Sequence, residues 1–385
     1  MIKKYLLAPG PTMVPESVLL EMAKPMMHHR TSEFSSIFAN VREKLKPIFG
    51  TKNECLLISG SGTAAMEAAV VNTLSPGDKV LVVNAGKFGK RWAEICTKFQ
   101  LEVVTIDLEW GRSVRVEQVE SALIEHPDAK ALFIQASETS TTAYHPVEKI
   151  GNLVKLFDST LFIVDGITSV GVVETKMDEW GIDILVTGSQ KAFMLPPGLS
   201  IIAMSDKAWK FVEQSKLPKY YLDLVKEKKA QGNDTTAYTP AVSLIIGLNK
   251  VLDLMHDEGL ENVYLRHSIC ANATRKAVKA LGLQLLAKDI PSNAATGFYL
   301  PDGIDGGKLV KFLRESMGVT FAGGQDHLKG KIMRISHLGY HDVFDTIIAI
   351  SALELGLKKF GFEFEMGAGI KAAEDVIYEH RIKGL

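Results

Sequence analysis

The sequence predicts an α/β protein: a mostly parallel seven-stranded sheet with helices on both faces, joined to a smaller C-terminal α+β domain. Three observations lead there. Between residues 54 and 204, seven short apolar, β-rich runs alternate with amphipathic stretches, the pattern of parallel strands covered by helices. After residue 242 the texture changes to long helical stretches interrupted by two short strands. With 385 residues the chain also exceeds the usual size of one core, so a second lobe and a cleft beside it are expected.

The elements follow in order. Residues 55–59, 79–84, 102–106, 131–136, 160–164, 183–187 and 199–204 read as strands, with helices such as 63–74 and 147–157 between them. Ser75, Pro76, Gly77 and Asp78 supply the turn chemistry that separates helix from strand. The lysine-rich residues 226–229 and the Gly232, Asn233, Asp234 that follow read as a solvated loop between lobes. Helices at 243–255 and 260–280, strands at 295–300 and 331–336, and helices at 342–358 and 370–378 complete the chain. The expected division is an N-terminal segment 1–20 near the functional site, a large domain 21–250 and a small domain 251–385.

Composition narrows the function. Hydrophobic residues make up 46% and charged residues 23%, which suits a globular core rather than a disordered or membrane chain. Lys+Arg 44 against Asp+Glu 45 leaves a net charge of -1, so no global field recruits nucleic acid or an anionic membrane, and a small-molecule partner is expected. Cys55, Cys96 and Cys270 lie far apart, arguing against a disulfide framework or zinc cluster; no metal is expected. The short apolar run near the N-terminus is cut off by prolines, so the expected location is the cytoplasm.

Three sites carry chemistry. Ser61, Gly62 and Thr63 form a small-residue turn that follows a strand and opens an alanine-rich helix, where exposed N–H groups favour a phosphate. The turn matches neither a Walker A loop nor a dinucleotide fingerprint. Asp165 ends the apolar run 161–164, at the sheet edge where α/β folds present ligand contacts. Lys191 follows the strand at 183–187 and precedes another apolar stretch, so desolvation makes its amine nucleophilic. Each has a plain alternative: a crossover turn, a capping aspartate, a solvated lysine. Together, and in that order, they meet the needs of one cofactor, pyridoxal 5'-phosphate (PLP), whose phosphate, ring nitrogen and aldehyde want a helix start, a carboxylate and a lysine.

At these residues, and over nearly its whole length, the sequence resembles the class V aminotransferases of PLP fold type I, particularly the serine:pyruvate and alanine:glyoxylate group. The resemblance implies further roles. It places Phe88 where an aromatic ring stacks on the cofactor, Thr139 beside the ring oxygen, Gln190 at the phosphate, and the segment 7–12 near the active site. It gives Arg334, within Met333-Arg334-Ile335-Ser336-His337, the substrate α-carboxylate, which a planar guanidinium grips through two hydrogen bonds. It implies a homodimer with shared active sites, in which Thr239 reaches the neighbour's cofactor phosphate. A tyrosine of some relatives is replaced by Thr236. Read locally, Thr239 and Pro240 make a helix start, with Thr239 as N-cap, a role compatible with the first.

The expected reaction is ping-pong transfer of an amino group from alanine or serine to a 2-oxo acid, glyoxylate or pyruvate. Lys191 serves as base and Asp165 as partner of the ring nitrogen. Aspartate or 2-aminoethylphosphonate transamination on the same fold is the alternative, Arg30 being a candidate second cation for aspartate. Cysteine desulfuration lacks its loop cysteine, since Cys270 lies in a helical stretch. A non-catalytic subunit would have no use for a buried ion and a reactive amine.

Overall fold

A computed structural model describes residues 2–383. The seven runs become β1 (Cys55–Ser59), β2 (Lys79–Asn84), β3 (Glu102–Asp107), β4 (Ala131–Gln135), β5 (Leu161–Asp165), β6 (Ile184–Gly188) and β7 (Leu199–Met204). They form one sheet in the order β1-β7-β6-β5-β4-β2-β3. β7 is antiparallel to both its neighbours, and the other pairings are parallel. β4, β5 and β6 are buried along their whole length, which is why they read as continuous apolar runs.

The pleat divides the core in two. Leu132, Ile134, Phe162 and Val164 join one cluster, packed against Phe34, Phe38 and Leu248, whereas Ala131, Phe133, Leu161 and Ile163 join another, packed against Ala65, Ala69 and Trp92. Helices therefore cover both faces. On the second face α1 (Gly62–Thr73) buries Ala65, Ala68 and Ala69, small side chains that let it lie close to the sheet, and α2 (Lys87–Lys98) buries Trp92.

The lysine-rich residues 226–229 lie in a helix, α3 (Leu224–Gln231), not in a loop. Asp223 starts it, its carboxylate accepting from Val225 N at 3.0 Å and Lys226 N at 3.2 Å. Its buried face is largely polar: Gln231 donates from Nε2 to Leu57 O (2.8 Å) and accepts from Leu57 N (3.0 Å), an amide that completes the ladder of edge strand β1. The following helix, α4 (Val242–Glu258), has Ala241 at its N-cap position, so Thr239 does not cap it. The Ala241 N–H goes to Ser59 Oγ at 3.0 Å instead.

A third cluster gathers Cys270, Ala277, Phe298, Leu309, Met333, Ile350 and Leu353 between α5 (Leu260–Ala280), α6 (Val343–Lys359) and a small antiparallel sheet. That sheet orders β8 (Ala295–Tyr299), β10 (Ile332–Ser336) and β9 (Ala322–Gly323) with β10 in the middle. The N-terminal segment crosses to this unit: Tyr5–Leu6 pairs with Val319–Thr320, and Ser336 N donates to Leu7 O at 2.9 Å. Among the described residues no helix is long and apolar enough to cross a membrane.

Candidate active site

The parallel strands bring their carboxyl ends to one edge of the sheet. There β5 ends at Asp165, β6 leads through Gly188 to Gln190 and Lys191, β4 leads to Glu138 and Thr139, β2 leads to Phe88, and β1 leads to the Ser61–Thr63 turn. Glycines let these pieces touch. A Cβ on Gly62 would lie 2.5 Å from Ile167 Cδ1, so the turn packs against the loop that follows Asp165. A Cβ on Gly188 would lie 2.9 Å from Gln190 Oε1 and 3.3 Å from Gly62 N, so the turn also packs against the approach to Lys191. The side chain of Ser61, at the N-cap of α1, makes no capping bond, which leaves first-turn N–H groups open to an anion.

Lys191 and Asp165 are both buried. Burial pulls the Lys191 amine down to about 8, with Asp165 opposing the shift and Arg334 and Arg91 adding to it. Burial pushes the Asp165 carboxyl up to about 7, opposed by the Ile167 N–H and by the positive charges of Arg91 and Lys191. Asp165 accepts the Ile167 N–H on Oδ1 at 2.8 Å, leaving Oδ2 for another donor. Lys191 Nζ donates to Pro9 O, which places the segment 7–12 at the site. Gly10 makes room for it, at a φ of +106°.

Arg334 comes from the centre of β10 and is 6% exposed. Three bonds fix its guanidinium: Nε and Nη2 donate to Gly323 O (3.1 and 2.8 Å) and Nη1 to Thr139 O (2.8 Å). No carboxylate neutralises it within ion-pair distance among the described residues. Burial lowers its value to about 10 while Glu138 raises it. A guanidinium has five N–H donors, so two remain, enough for a carboxylate. The Thr139 hydroxyl pairs with that of Thr168 at 2.8 Å, at the same bend.

Two residues at this edge escaped the sequence reading. Glu138 is fully buried, its carboxylate raised by burial, and it accepts from Phe88 N (3.0 Å), Gly89 N (3.0 Å), Ser140 N (3.1 Å) and the Ser140 hydroxyl. It thereby fixes the first turn of α2 and the position of Phe88. Arg91, one turn beyond Phe88, lies over that ring and donates to Thr63. The spacing of Phe88 and Arg91, three apart on one helix face, was the available signal. Conversely, Thr239 is exposed and lines a separate groove with Met26, His28 and Leu244. Arg30 donates to Thr235 Oγ1 and Thr236 O, so it braces that segment.

The donor set fits PLP. A carboxylate with one free oxygen, a desolvated amine and an uncapped helix start are what the cofactor's ring nitrogen, aldehyde and phosphate require, and the buried Gln190 Oε1 lacks any partner among the described residues. The family model described as aminotransferase class-V matches residues 4–343. The chain belongs to that family. It is 42% identical to a protein named soluble hydrogenase, small subunit, from Synechococcus sp., over 97% of this chain and 98% of that one. It is 34% identical to the L-aspartate–glyoxylate aminotransferase of Paracoccus denitrificans (95% and 94% covered) and to the serine–glyoxylate aminotransferase of Methylorubrum extorquens (98% and 97% covered). The ureidoglycine–glyoxylate aminotransferase of Bacillus subtilis superposes with a TM-score of 0.92 at 29% identity, over 98% of this chain and 99% of that one. The protein is thus a class V transaminase with the fold of PLP-dependent aminotransferases, and PLP is the cofactor this family implies.

Proposed function

We propose that this class V aminotransferase carries PLP on Lys191 and moves the amino group of alanine or serine to glyoxylate or pyruvate by a ping-pong mechanism. The observation that carries the reading is the buried pair Asp165 and Lys191 with the fixed, unneutralised guanidinium of Arg334 close enough to perturb the amine. When bound, PLP supplies an aldehyde that takes up the amino group and a ring that accepts the electrons released at the α-carbon.

The chain's own groups do the rest. Ser61, Gly62, Thr63 and Gln190 would hold the phosphate, Phe88 would stack on the ring and Thr139 would lie beside the ring oxygen. Asp165 keeps the ring nitrogen protonated with its free oxygen. Arg334 would turn the substrate by its carboxylate so that the α-proton faces Lys191, and the neutral Lys191 amine would take that proton and hold it for return to the carbon two bonds away. A lysine lowered to about 8 is poised for this near neutral pH, where a solvated amine would stay protonated. The large domain, 21–250, supplies the cofactor groups and the small domain, 251–385, supplies Arg334. In a homodimer the exposed Thr239 reaches the neighbouring subunit's phosphate.

Glyoxylate as acceptor is supported by the names of three similar proteins. Small donors are supported by the engagement of Arg30 with Thr235 and Thr236. Aspartate is the second reading, favoured by the Paracoccus relative. The test mixes the PLP form with each amino acid in turn and follows conversion to the pyridoxamine form by absorbance. Conversion by alanine or serine is expected, and conversion by aspartate alone would overturn the donor assignment. Lys191→Ala is expected to lose the cofactor's visible band from the purified protein. Wild-type protein without such a band, even after PLP is added, would overturn the reading as a whole.

A further inference from the structure

We propose that Arg91 is a positioning residue for the cofactor phosphate, acting through the hydroxyl of Thr63. This rests on the cofactor assignment above and extends it to a residue outside that donor set. Arg91 lies on α2, one turn beyond Phe88, and its guanidinium carbon sits 4.8 Å from the centroid of the Phe88 ring. Its Nη1 donates to Thr63 Oγ1 at 3.3 Å. Among the described residues it has no carboxylate partner, although ion pairs elsewhere on α2 engage Lys87 and Lys90.

The chemistry follows from the direction of that bond. A hydroxyl has one proton and two lone pairs; when one lone pair accepts from Arg91, the proton is turned away from the guanidinium. At the start of α1 that orientation offers the Thr63 proton alongside the open backbone N–H groups, where an anion would lie. The cation adds its own field to the helix start, and its planar face is held by the aromatic ring rather than by a counter-ion. The same charge is felt by both Asp165 and Lys191, which places it within the site rather than on the outer face of α2. Glu138, which holds the first turn of α2, sets the reach of Arg91 together with the position of Phe88.

The test compares two ligands that differ only by the phosphate. Full-length protein is stripped of cofactor and titrated with PLP and with pyridoxal, binding being followed by the absorbance of the lysine adduct and by intrinsic fluorescence. Arg91→Gln is expected to weaken PLP binding about 10- to 100-fold, the usual size of a charged contact to an anion, and to leave pyridoxal binding unchanged. Arg91→Lys should recover part of the loss, and inorganic phosphate should compete with PLP less well in Arg91→Gln than in wild type. Thr63→Val removes the hydroxyl through which Arg91 acts, so in that background Arg91→Gln should cost little further PLP affinity, and an undiminished further loss would overturn the path through Thr63. Equal weakening of PLP and pyridoxal would mean that Arg91 only packs α2, and would overturn the proposal, as would unchanged PLP affinity. Wild-type protein that binds neither ligand would instead overturn the cofactor assignment at Lys191, and this proposal with it.

Discussion

Gly10→Ala should separate the placement of Lys191, the proposed catalytic lysine, from the stability of the fold. A Cβ at this position would lie 2.6 Å from Lys191 Cε and 2.8 Å from Cδ, with Nζ closer still. Carbon atoms in contact settle at about 3.5–4.0 Å, so the end of the lysine has to retreat by roughly 1 Å. The lysine is flexible and can do so, but it then leaves the position set by the Pro9 carbonyl. A misplacement of ~1 Å costs about 10²-fold in rate when geometry controls the reaction. The backbone cost is separate: a φ of +106° is open to glycine and strained for alanine, at about 1–3 kcal/mol. The expected result is a protein that still folds, with a lower Tm, and whose half-reaction with alanine in stopped-flow absorbance is slowed about 100-fold. A variant with a lowered Tm and a wild-type half-reaction would show that the Gly10 contact does not place the amine, and would refute this account of the lysine.

Other outcomes follow from the same geometry. Arg334→Lys keeps a charge but loses the fork held by Gly323 and Thr139; KM for the amino donor should rise about tenfold or more in steady-state kinetics, and an unchanged KM would remove Arg334 from the substrate site. Asp165→Ala should still take PLP onto Lys191 but slow the half-reaction by about 10²-fold or more; equal rates would mean that the carboxylate only caps the Ile167 loop. Acid should weaken the fold through His267, His337 and His341, which burial holds below the ordinary imidazole value, the first and last at about 3. The unfolded chain binds these protons first, so stability is full above about 6.5 and falls by roughly 1.4 kcal/mol per group for each pH unit below it. His145, lowered by burial to about 4, adds a fourth such group, while Asp165, raised to about 7, and Glu138, also raised by burial, offset part of the loss by taking protons in the folded state. Urea midpoints should therefore drop between pH 6.5 and 5, and a flat profile would contradict the neutral assignment.

The strands of the large sheet were legible because both its faces are covered, which turns each buried strand into an unbroken apolar run. The order of turn, aspartate and lysine was legible for a related reason: each sits immediately after such a run, where periodicity stops. Helix α3 was not legible, because its buried face holds Glu227 and Gln231 and its exposed face the lysines, so no apolar stripe marks it. Glu138 stayed hidden within a polar stretch, Ser137 to Thr142, that looks solvated but is buried throughout. Its partners are backbone N–H groups of a helix some fifty residues earlier, a pairing that local pattern does not encode. Thr239 resembled a helix cap because proline follows it, whereas the N–H that mattered, on Ala241, was claimed by Ser59 from β1.

The path of residues 5–11 also bears on the order in which the protein can mature. These residues are made early, yet their strand partner is Val319–Thr320, and Leu7 is held by Ser336. Until that distant stretch has been synthesised and folded, Pro9 is held near Lys191 from one side alone, through Thr12, whose N–H and hydroxyl donate to Gln190 O and Lys191 O. Such long-range contacts form late, because closing the intervening chain costs entropy before any contact repays it. A nascent chain that has completed its seven-stranded sheet would therefore carry the lysine with a clasp pinned only at Thr12, and would fix the other end, with Arg334, only after the C-terminal third had docked.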